Sequence, residues 1–562
     1  MKRTTLLAAI VISILLTANA QEGNQHRHDP QEKQSTKLGH VNFRTSCSPK
    51  VQRQLNQAVA WLHSFEYEEA EKIFTEITAS DRRCGIAYWG IAMSNFHPLW
   101  VPPTPAELEK GAAAAAQAVS LGAPTKRERD YIAAISLFYK DADNLDHPAR
   151  TFAYSEAMKK VYQENPNDDE AAAFYALSLI TTGTMLHDKT YAKEQEAAQI
   201  LRRILAREPQ HPGVVHYMIH GYDYPALAQL ALPAARSYAS IAPSSAHAQH
   251  MPSHIFTRLG LWQEAIRSNL AAHAAAKAYA TNHHMAGAWD EQLHAMDYLA
   301  YAYLQGAQDK KAWGVLDELN HLQQVDPLNF KVAYAVTAIP ARYVLERRQW
   351  TEASELPLGH PRMTAFPWSK FPWAAAHIHF ARAIGAARLG NVASAQKAID
   401  DLAADRNSLT QRRGDYDWAK QIDIKLQVAS AWVKYLEGRP DEALRMMRAA
   451  ADVDDMTEKH PVTPGSLLPA REQLGELLLE LKQPAAALAA FEVGLRNTPN
   501  RFNALYGAAR AATLAGNRQK AASYNRQLVA LCRYADSERP ELNEAKAFLA
   551  EGSRGTITHA RR

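Results

Sequence analysis

The sequence predicts an all-α repeat fold, and three observations lead to it. Alanine-rich segments with apolar residues at helical spacing fill most of the 562 residues. No segment shows the strict alternation of a half-buried β-strand. The chain is also similar to itself at an interval of about 34 residues, which is typical of proteins built from stacked helix pairs. Hydrophobic residues make up 47% of the chain and charged residues 22%, which excludes a wholly disordered protein.

The N-terminal segment predicts export. Two basic residues precede an apolar run at residues 6–16, and Ala18 and Ala20 supply an A-x-A site. These are the features of a secretory signal peptide, and the run is too short to span a bilayer. We therefore predict cleavage of residues 1–20 and a periplasmic protein without a membrane span. Residues 21–45 are polar and aperiodic, which predicts a flexible lead-in.

The repeat is carried by small and aromatic residues at fixed positions. Ala487 and Ala521 are one repeat interval apart, and so are Pro209 and Pro243. Near the C-terminus, the residues at tetratricopeptide spacing are Leu474, Gly475, Pro484, Ala487, Phe491 and Pro499. Over most of residues 50–535 the sequence resembles the tetratricopeptide repeat (TPR) family. That resemblance implies an α-solenoid of antiparallel helix pairs forming a right-handed superhelix, with a concave groove lined by the first helix of each pair. It implies no chemistry.

Two segments rich in proline and aromatic residues interrupt the repeats, at residues 96–105 and 360–375. Each is either a plain loop between helices or a loop that folds over the groove. The second separates a predicted N-terminal array with histidine-rich central units, residues 46–359, from a C-terminal array, residues 376–540. Residues 541–562 are predicted to be a flexible tail.

Charge and cysteine content exclude several classes of protein. The net charge is +4, so nothing indicates nucleic-acid binding. No P-loop or dinucleotide fingerprint is present, so no nucleotide cofactor is expected. Three cysteines exclude a disulfide scaffold and a four-cysteine zinc fold. Cys47 precedes the first helix of unit one and Cys84 follows its second helix, so a hairpin brings them together and a disulfide is predicted. The alternative is two buried thiols, and Cys532 is expected to be buried.

The histidine distribution is the main functional signal. Ten of the 23 histidines lie between positions 211 and 294. His216 and His220 form one i, i+4 pair, and His250 and His254 form another pair one repeat interval later. Residues four apart share one face of a helix. The repeat therefore predicts equivalent sites for the two pairs, at positions that face the groove in TPR proteins.

Three further residues fall in the same register. His247 lies at a groove-facing position of the second unit. His294 and Asp297 lie at such positions of the third unit if Ala312 matches Ala265. Since packed helices are about 8–10 Å apart, these side chains can meet in one channel over one or two metal ions. Glu291, on the neighbouring helix, is not expected to replace the glutamate of a HExxH protease.

The histidines predict a transition-metal site, with copper, zinc or iron as the candidate metals. The predicted ligands are His216, His220, His250 and His254, with His247, His294 and Asp297 as further candidates. Asp223 and its neighbouring tyrosines either hydrogen-bond to the ligands or only pack at a helix end. Polar residues at Arg342, Glu346, Glu472 and Glu476 either bind a partner or form a solvated face.

Three functions remain open at this point. The first is an exported TPR-repeat binding protein with a metal site in the groove. The second is a periplasmic interaction scaffold that binds a protein or peptide there without metal. The third is a metal-dependent oxidoreductase, although catalysis is not established by any motif.

Overall fold

The computed structural model describes residues 36–99, 102–186, 188–364, 366–409 and 416–559. The predicted signal peptide lies outside these residues. Nearly all the described secondary structure is α-helical, and each helix packs against the next along the chain. Short connections between most neighbouring helices make them antiparallel hairpins. The predicted all-α solenoid of TPR-like helix pairs is confirmed. None of the described helices is long and apolar enough to cross a membrane.

The helices are numbered in chain order. Those of the first half are α1 Gln52–His63, α2 Tyr67–Ser80, α3 Gly85–Ser94, α4 Pro105–Leu121, α5 Lys126–Tyr139, α6 His147–Glu164, α7 Asp169–Leu186, α8 Ala192–Leu205, α9 Pro212–Gly221, α10 Ala228–Ile241, α11 Ala246–His250, α12 Pro252–Arg258 and α13 Trp262–Asn282. Those of the second half are α14 Asp290–Gln305, α15 Asp309–His321, α16 Phe330–Glu346, α17 Trp350–Ser354, α18 Ala375–Arg388, α19 Val392–Leu409, α20 Trp418–Leu436, α21 Pro440–Met456, α22 Ala470–Glu480, α23 Pro484–Asn497, α24 Phe502–Leu514, α25 Arg518–Leu531 and α26 Pro540–His559.

The repeated small residues allow the helices to approach closely. A Cβ atom added to Gly475 would lie 2.6 Å from the ring of Phe491, and one added to Gly507 would lie 2.3 Å from it. Gly90 has the same relation to Phe74, at 2.4 Å. One aromatic ring of each such unit therefore occupies the space that a missing side chain leaves, which explains the TPR-like spacing of glycine and phenylalanine.

Two short strands interrupt the helices beside the histidine-rich units. Strand β1, Ala288–Trp289, pairs in parallel with β2, Val325–Asp326. These strands precede α14 and follow α15 in the chain. They therefore join the two ends of that helical hairpin.

The chain departs from the predictions at both ends. Within the predicted lead-in, Leu38, Val41 and Phe43 are buried. The Lys37 and His40 amides donate to Ser244 Oγ and to the Gln210 carbonyl. Residues 37–45 are therefore packed on the helices rather than flexible, because their apolar side chains anchor them. The predicted tail differs as well, since α26 continues from residue 540 to 559.

Cys47 and Cys84 form the disulfide that the sequence predicts, with their Cα atoms 5.0 Å apart. It joins the segment before α1 to the start of α3. Cys532 is a buried free thiol, as expected.

Candidate metal centre

Six histidines of the central units form two groups of three. The first group, which we call the α9 triad, contains His216, His220 and His247. The second, the α12 triad, contains His250, His254 and His294. Within each triad one ligand nitrogen from every residue lies within 4.8 Å of the others.

The two triads are built in the same way. Each combines an i, i+4 pair with one histidine from a later helix. The pair comes from α9 in the α9 triad, and from the end of α11 and from α12 in the α12 triad. The third ligand comes from α11 in the former and α14 in the latter. The predicted equivalence of the two pairs therefore extends to a third ligand in each unit.

Local sequence positions these helices. Ser245 caps α11, because its Oγ accepts a hydrogen bond from the Ala248 amide. His211 caps α9 by accepting from the Val214 amide. Pro252 has no N–H and ends α11, yet Met251 keeps helical dihedrals of −53° and −35°. The i, i+4 relation between His250 and His254 therefore survives the break.

In the α9 triad the imidazoles point their Nε2 atoms at a common centre. His216 Nε2 lies 3.1 Å from His247 Nε2 and 3.1 Å from His220 Nε2. His216 and His247 are buried, whereas His220 is partly exposed. The ring of Phe65 packs against all three imidazoles.

The α12 triad has the same inward orientation. His250 Nε2 lies 3.0 Å from His254 Nε2, and the ring of His294 lies 4.0 Å from that of His250. His294 Nε2 is buried and has no hydrogen-bond partner among the described residues. All three imidazoles are at most 3% exposed.

The outer nitrogens define the tautomers. His250 Nδ1 lies 2.7 Å from Asn269 Oδ1, and the Asn269 amide donates to a backbone carbonyl, which fixes its orientation. His254 Nδ1 lies 3.0 Å from the Asp223 carboxylate. Because both partners are acceptors, both Nδ1 atoms carry the proton. The facing Nε2 atoms of a neutral pair are therefore both unprotonated.

His216 has the same arrangement in the α9 triad. Its Nδ1 donates to the His63 carbonyl, 2.7 Å away, so its Nε2 presents a lone pair to the centre. Outer hydrogen bonds of this kind orient and strengthen histidine ligands in metal sites.

Burial keeps these imidazoles uncharged. Desolvation lowers the pKa of His216, His247, His250 and His294 well below 6.5. It also lowers the pKa of His220, to about 3. A proton shared between facing lone pairs is therefore disfavoured at neutral pH. Neutral imidazole is also the form that binds transition metals.

The spacing within each pair fits a shared metal ion. Two nitrogens that each lie about 2.0–2.1 Å from a tetrahedral ion are roughly 3.3 Å apart. The observed separations of 3.0 and 3.1 Å are close to that value. The donor set therefore suits copper or zinc.

A neighbouring cluster shows the opposite pattern. His63, Glu170 and His211 also lie within ligand distance of one another. His63 Nε2 donates to Glu170 and His63 Nδ1 accepts from the Tyr217 hydroxyl, both at 2.7 Å. His211 Nε2 lies 3.2 Å from the other Glu170 oxygen. Every ring nitrogen there has a protein partner, so this cluster is a structural network.

Neither His63 nor Glu170 was predicted from the sequence. The two residues lie on different helices, α1 and α7, and no repeat relates them. His211 lies at a helix end, as the N-cap of α9, and is buried. The one available signal for this cluster was Glu170, a glutamate in the apolar helix α7. Its partners could not be inferred because they are distant in the chain.

Asp297 lies outside both triads. It is buried, its Oδ1 has no hydrogen-bond partner among the described residues, and burial raises its pKa to about 6. Its position on α14 is nearly one turn beyond His294, and the charged group acting on it is Arg342. Glu291 is not a free base, because it pairs with Lys331 at 2.6 Å.

The other polar groove residues are internal rather than solvated. Arg501 is fully buried and donates to Glu346 at 2.7 Å and to Tyr301 at 2.6 Å. It also pairs with Glu472. Arg348 pairs with Glu476 at 2.6 Å. The C-terminal units therefore fill this part of the groove with their own side chains.

A loop without a repeat signature lies beside the α12 triad. Residues 457–469 connect α21 to α22. Lys459 Nζ lies 3.4 Å from Asp223, the carboxylate that also holds His254 and Arg258. Farther along, the Gly465 and Ser466 carbonyls accept hydrogen bonds from Arg342. The C-terminal array thus contacts the outer hydrogen bonds of the triad.

The comparisons with known proteins concern the fold alone. No protein-family model matches the chain, and no curated protein matches it. A tetratricopeptide repeat protein from Parabacteroides merdae is 10% identical, with a TM-score of 0.23 over 75% of this chain and 99% of that one. Human IFIT1, solved as a dimer with m7Gppp-AAAA, is 11% identical, with a TM-score of 0.35 over 85% and 95%.

The Cut9–Hcn1 hetero-tetramer structure of APC/C is 12% identical, with a TM-score of 0.30 over 91% of this chain and 77% of that one. These low similarities indicate no function for this chain. The fold assignment depends on the helix pairs of the chain itself.

Proposed function

We propose that this protein is an exported, TPR-like protein that binds transition-metal ions at its two histidine triads. The observation that carries the proposal is the pair of unprotonated Nε2 atoms of His250 and His254, which face each other at 3.0 Å in a buried site. A buried polar atom without a partner is costly. A metal ion satisfies both lone pairs and that of His294 at once.

Copper is the first candidate and zinc the second. The triads offer only imidazole nitrogens, and for such donors divalent copper binds most tightly of the first-row ions. Iron, also considered from the sequence, is less favoured because neither triad includes a carboxylate. The disulfide between Cys47 and Cys84 supports the proposed export, since disulfides persist in oxidising compartments.

Elemental analysis tests the metal sites. The mature protein, purified without a histidine tag, is expected to hold about two copper or zinc ions per chain. The variants His216→Ala/His220→Ala and His250→Ala/His254→Ala are each expected to retain about one. The buried histidine His377, which hydrogen-bonds to Thr337 outside the triads, provides the control, because His377→Ala retains both ions.

A metal content near zero in the folded protein would overturn the proposal. That result would favour the second candidate, an interaction scaffold, which the helical-repeat fold suggests. Capture of a periplasmic protein or peptide would then be the relevant assay. The filled C-terminal groove around Arg501 argues that such a partner would bind elsewhere on the solenoid.

A further inference from the structure

The two triads are neighbours, because α11 supplies a ligand to each. His247 belongs to the α9 triad and His250 to the α12 triad, and they are three positions apart on this helix. Side chains at this spacing lie on the same face of a helix, with Cβ atoms about 5–6 Å apart. The two centres are thus set side by side by a single helical turn.

The ligand set carries no charge of its own. All six ligands are neutral imidazoles, and no carboxylate belongs to either triad. Two divalent ions would bring four positive charges into a buried site. Such charges are strongly disfavoured unless anions compensate them.

Three carboxylates nearby are already engaged. Asp223 pairs with Arg258 and Lys459 as well as with His254. Asp290 and Glu291 both pair with Lys331. These groups have little negative charge left to offer to a pair of metal ions.

Glu66 is a further buried carboxyl beside α11, and it supplies one charge at most. Its Oε1 accepts hydrogen bonds from Ser245 Oγ at 2.8 Å and from the His247 amide at 3.3 Å. These bonds hold it at the N-terminus of α11. Asp297, beyond the α12 triad on α14, adds at most one more negative charge, and the charged group acting on it is Arg342. Two carboxylates against four positive charges leave the remaining compensation to come from outside the protein.

We propose that the two triads form one dinuclear centre that binds a small inorganic anion between its two metal ions. This inference rests on the proposed metal binding and names its ligand class. In the resting protein the anion would be hydroxide, formed when a bound water releases a proton to solvent, and a small anion such as azide would displace that hydroxide. Only a small ligand fits, because five of the six imidazoles are at most 3% exposed, and His220 alone is partly open to solvent.

Copper loading followed by electron paramagnetic resonance tests the coupling. The full chain is loaded with Cu²⁺, its copper content is measured, and azide is titrated while the charge-transfer absorption is recorded. A bridged pair is expected to show far less resonance signal than two isolated Cu²⁺ ions. It is also expected to bind one azide for every two copper ions.

The variant His250→Ala/His254→Ala is the comparison for the same measurement. It keeps the α9 triad, and its single copper ion is expected to give the full signal of an isolated ion. Because the pair is broken, the azide stoichiometry becomes one per copper. His377→Ala is expected to behave as the unaltered protein does.

The outcomes separate the two proposals. Two copper ions per chain with the full signal of two isolated ions would overturn the dinuclear centre and leave the metal binding intact. Two coupled ions with no azide bound would overturn the anion site. Fewer than two ions would overturn the two-site metal binding itself.

Discussion

At the residue scale, the hydrogen bond made by the outer nitrogen of an imidazole, the one that points away from the triad centre, decides whether the inner nitrogen has a free lone pair. His250 and His63 are both buried histidines at hydrogen-bond distance from other side chains. Asn269 accepts from the outer nitrogen of His250, which leaves a lone pair facing inward. In His63, Tyr217 and Glu170 satisfy both nitrogens. Equal burial thus produces a candidate metal ligand in one place and a structural network in the other.

Replacing the partner of one outer nitrogen tests this argument. Asn269→Leu removes the acceptor for His250 Nδ1 while keeping a similar volume. Loss of such an outer hydrogen bond typically weakens metal affinity about 10- to 100-fold. We expect that loss at the α12 triad alone, measured by competition with a chromophoric chelator.

A matched control is available on α16. Thr337→Val removes a hydroxyl that lies 3.0 Å from His377 Nδ1, outside both triads. It should leave the affinity of both metal sites unchanged. Equal weakening by the two variants would contradict the role assigned to Asn269.

Part of the site was predictable residue by residue. The HxxxH pairs and the register of His247 and His294 come from local spacing, which helical geometry turns into a shared face. The partners of the outer nitrogens were less accessible. The carbonyl that orients His216 belongs to His63, which lies on a different helix far earlier in the chain.

At the scale of helices, glycine positions decide how closely the repeats pack. The ring of Phe491 lies against both Gly475 on α22 and Gly507 on α24. One phenylalanine therefore joins three successive helices. This local rule of packing was predictable, because glycine and phenylalanine recur at repeat spacing.

Adding a methyl group at one of these contacts should destabilise the fold. Gly475→Ala places a Cβ atom 2.6 Å from the Phe491 ring, and overpacking of this kind costs about 1–3 kcal/mol. Gly314→Ala, in the middle of α15 with nothing within 4 Å, should instead stabilise by about 0.5–1 kcal/mol. Urea unfolding of the two variants measures the change in the free energy of unfolding. A change of the same sign in both variants would contradict the packing argument.

The spacing of the helices also explains how the triads remain equivalent. The i, i+4 pairs are one repeat interval apart, but the third ligands, His247 and His294, are farther apart than that. The extra length lies in the long helix α13 and in strand β1. Aligning Ala312 with Ala265 allowed the position of His294 to be predicted. The physical cause of the longer interval was visible only in the structure.

At the scale of the whole molecule, contacts distant in sequence enclose the centre. Residues 457–469 reach Asp223 and Arg342 from the C-terminal array. Residues 37–45 pack onto the central units from the other end of the chain. Neither segment has a repeat signature, so neither role was predictable.

Acid should destabilise the metal-free protein. Burial lowers the pKa of His147 to about 4, and of His220 and His460 to about 3. In the unfolded chain these groups titrate near a pKa of about 6.5. Between those values the unfolded state binds more protons, so the stability that these histidines contribute is full above the unfolded pKa and falls as the pH decreases.

Buried carboxyls with a raised pKa act in the opposite direction, and Glu66 and Asp297 are two of them. Burial raises the pKa of Glu66 to about 7 and of Asp297 to about 6, so their protonation favours the folded state as the pH falls. The lowered histidines are more numerous, and we expect the urea midpoint of the chelator-treated protein to decrease between pH 7 and pH 5. A constant midpoint over that interval would contradict the predicted balance.

The amino-acid sequence by itself determined the all-α repeat fold, the disulfide pair and the two HxxxH motifs, because each depends on spacing within one or two helices. Only the tertiary structure decided how these motifs divide into two triads, why Asp297 is excluded, and which histidine cluster is already satisfied. Those features depend on how distant helices and loops meet. A lone pair without a partner is a property of the packed protein and not of any local pattern.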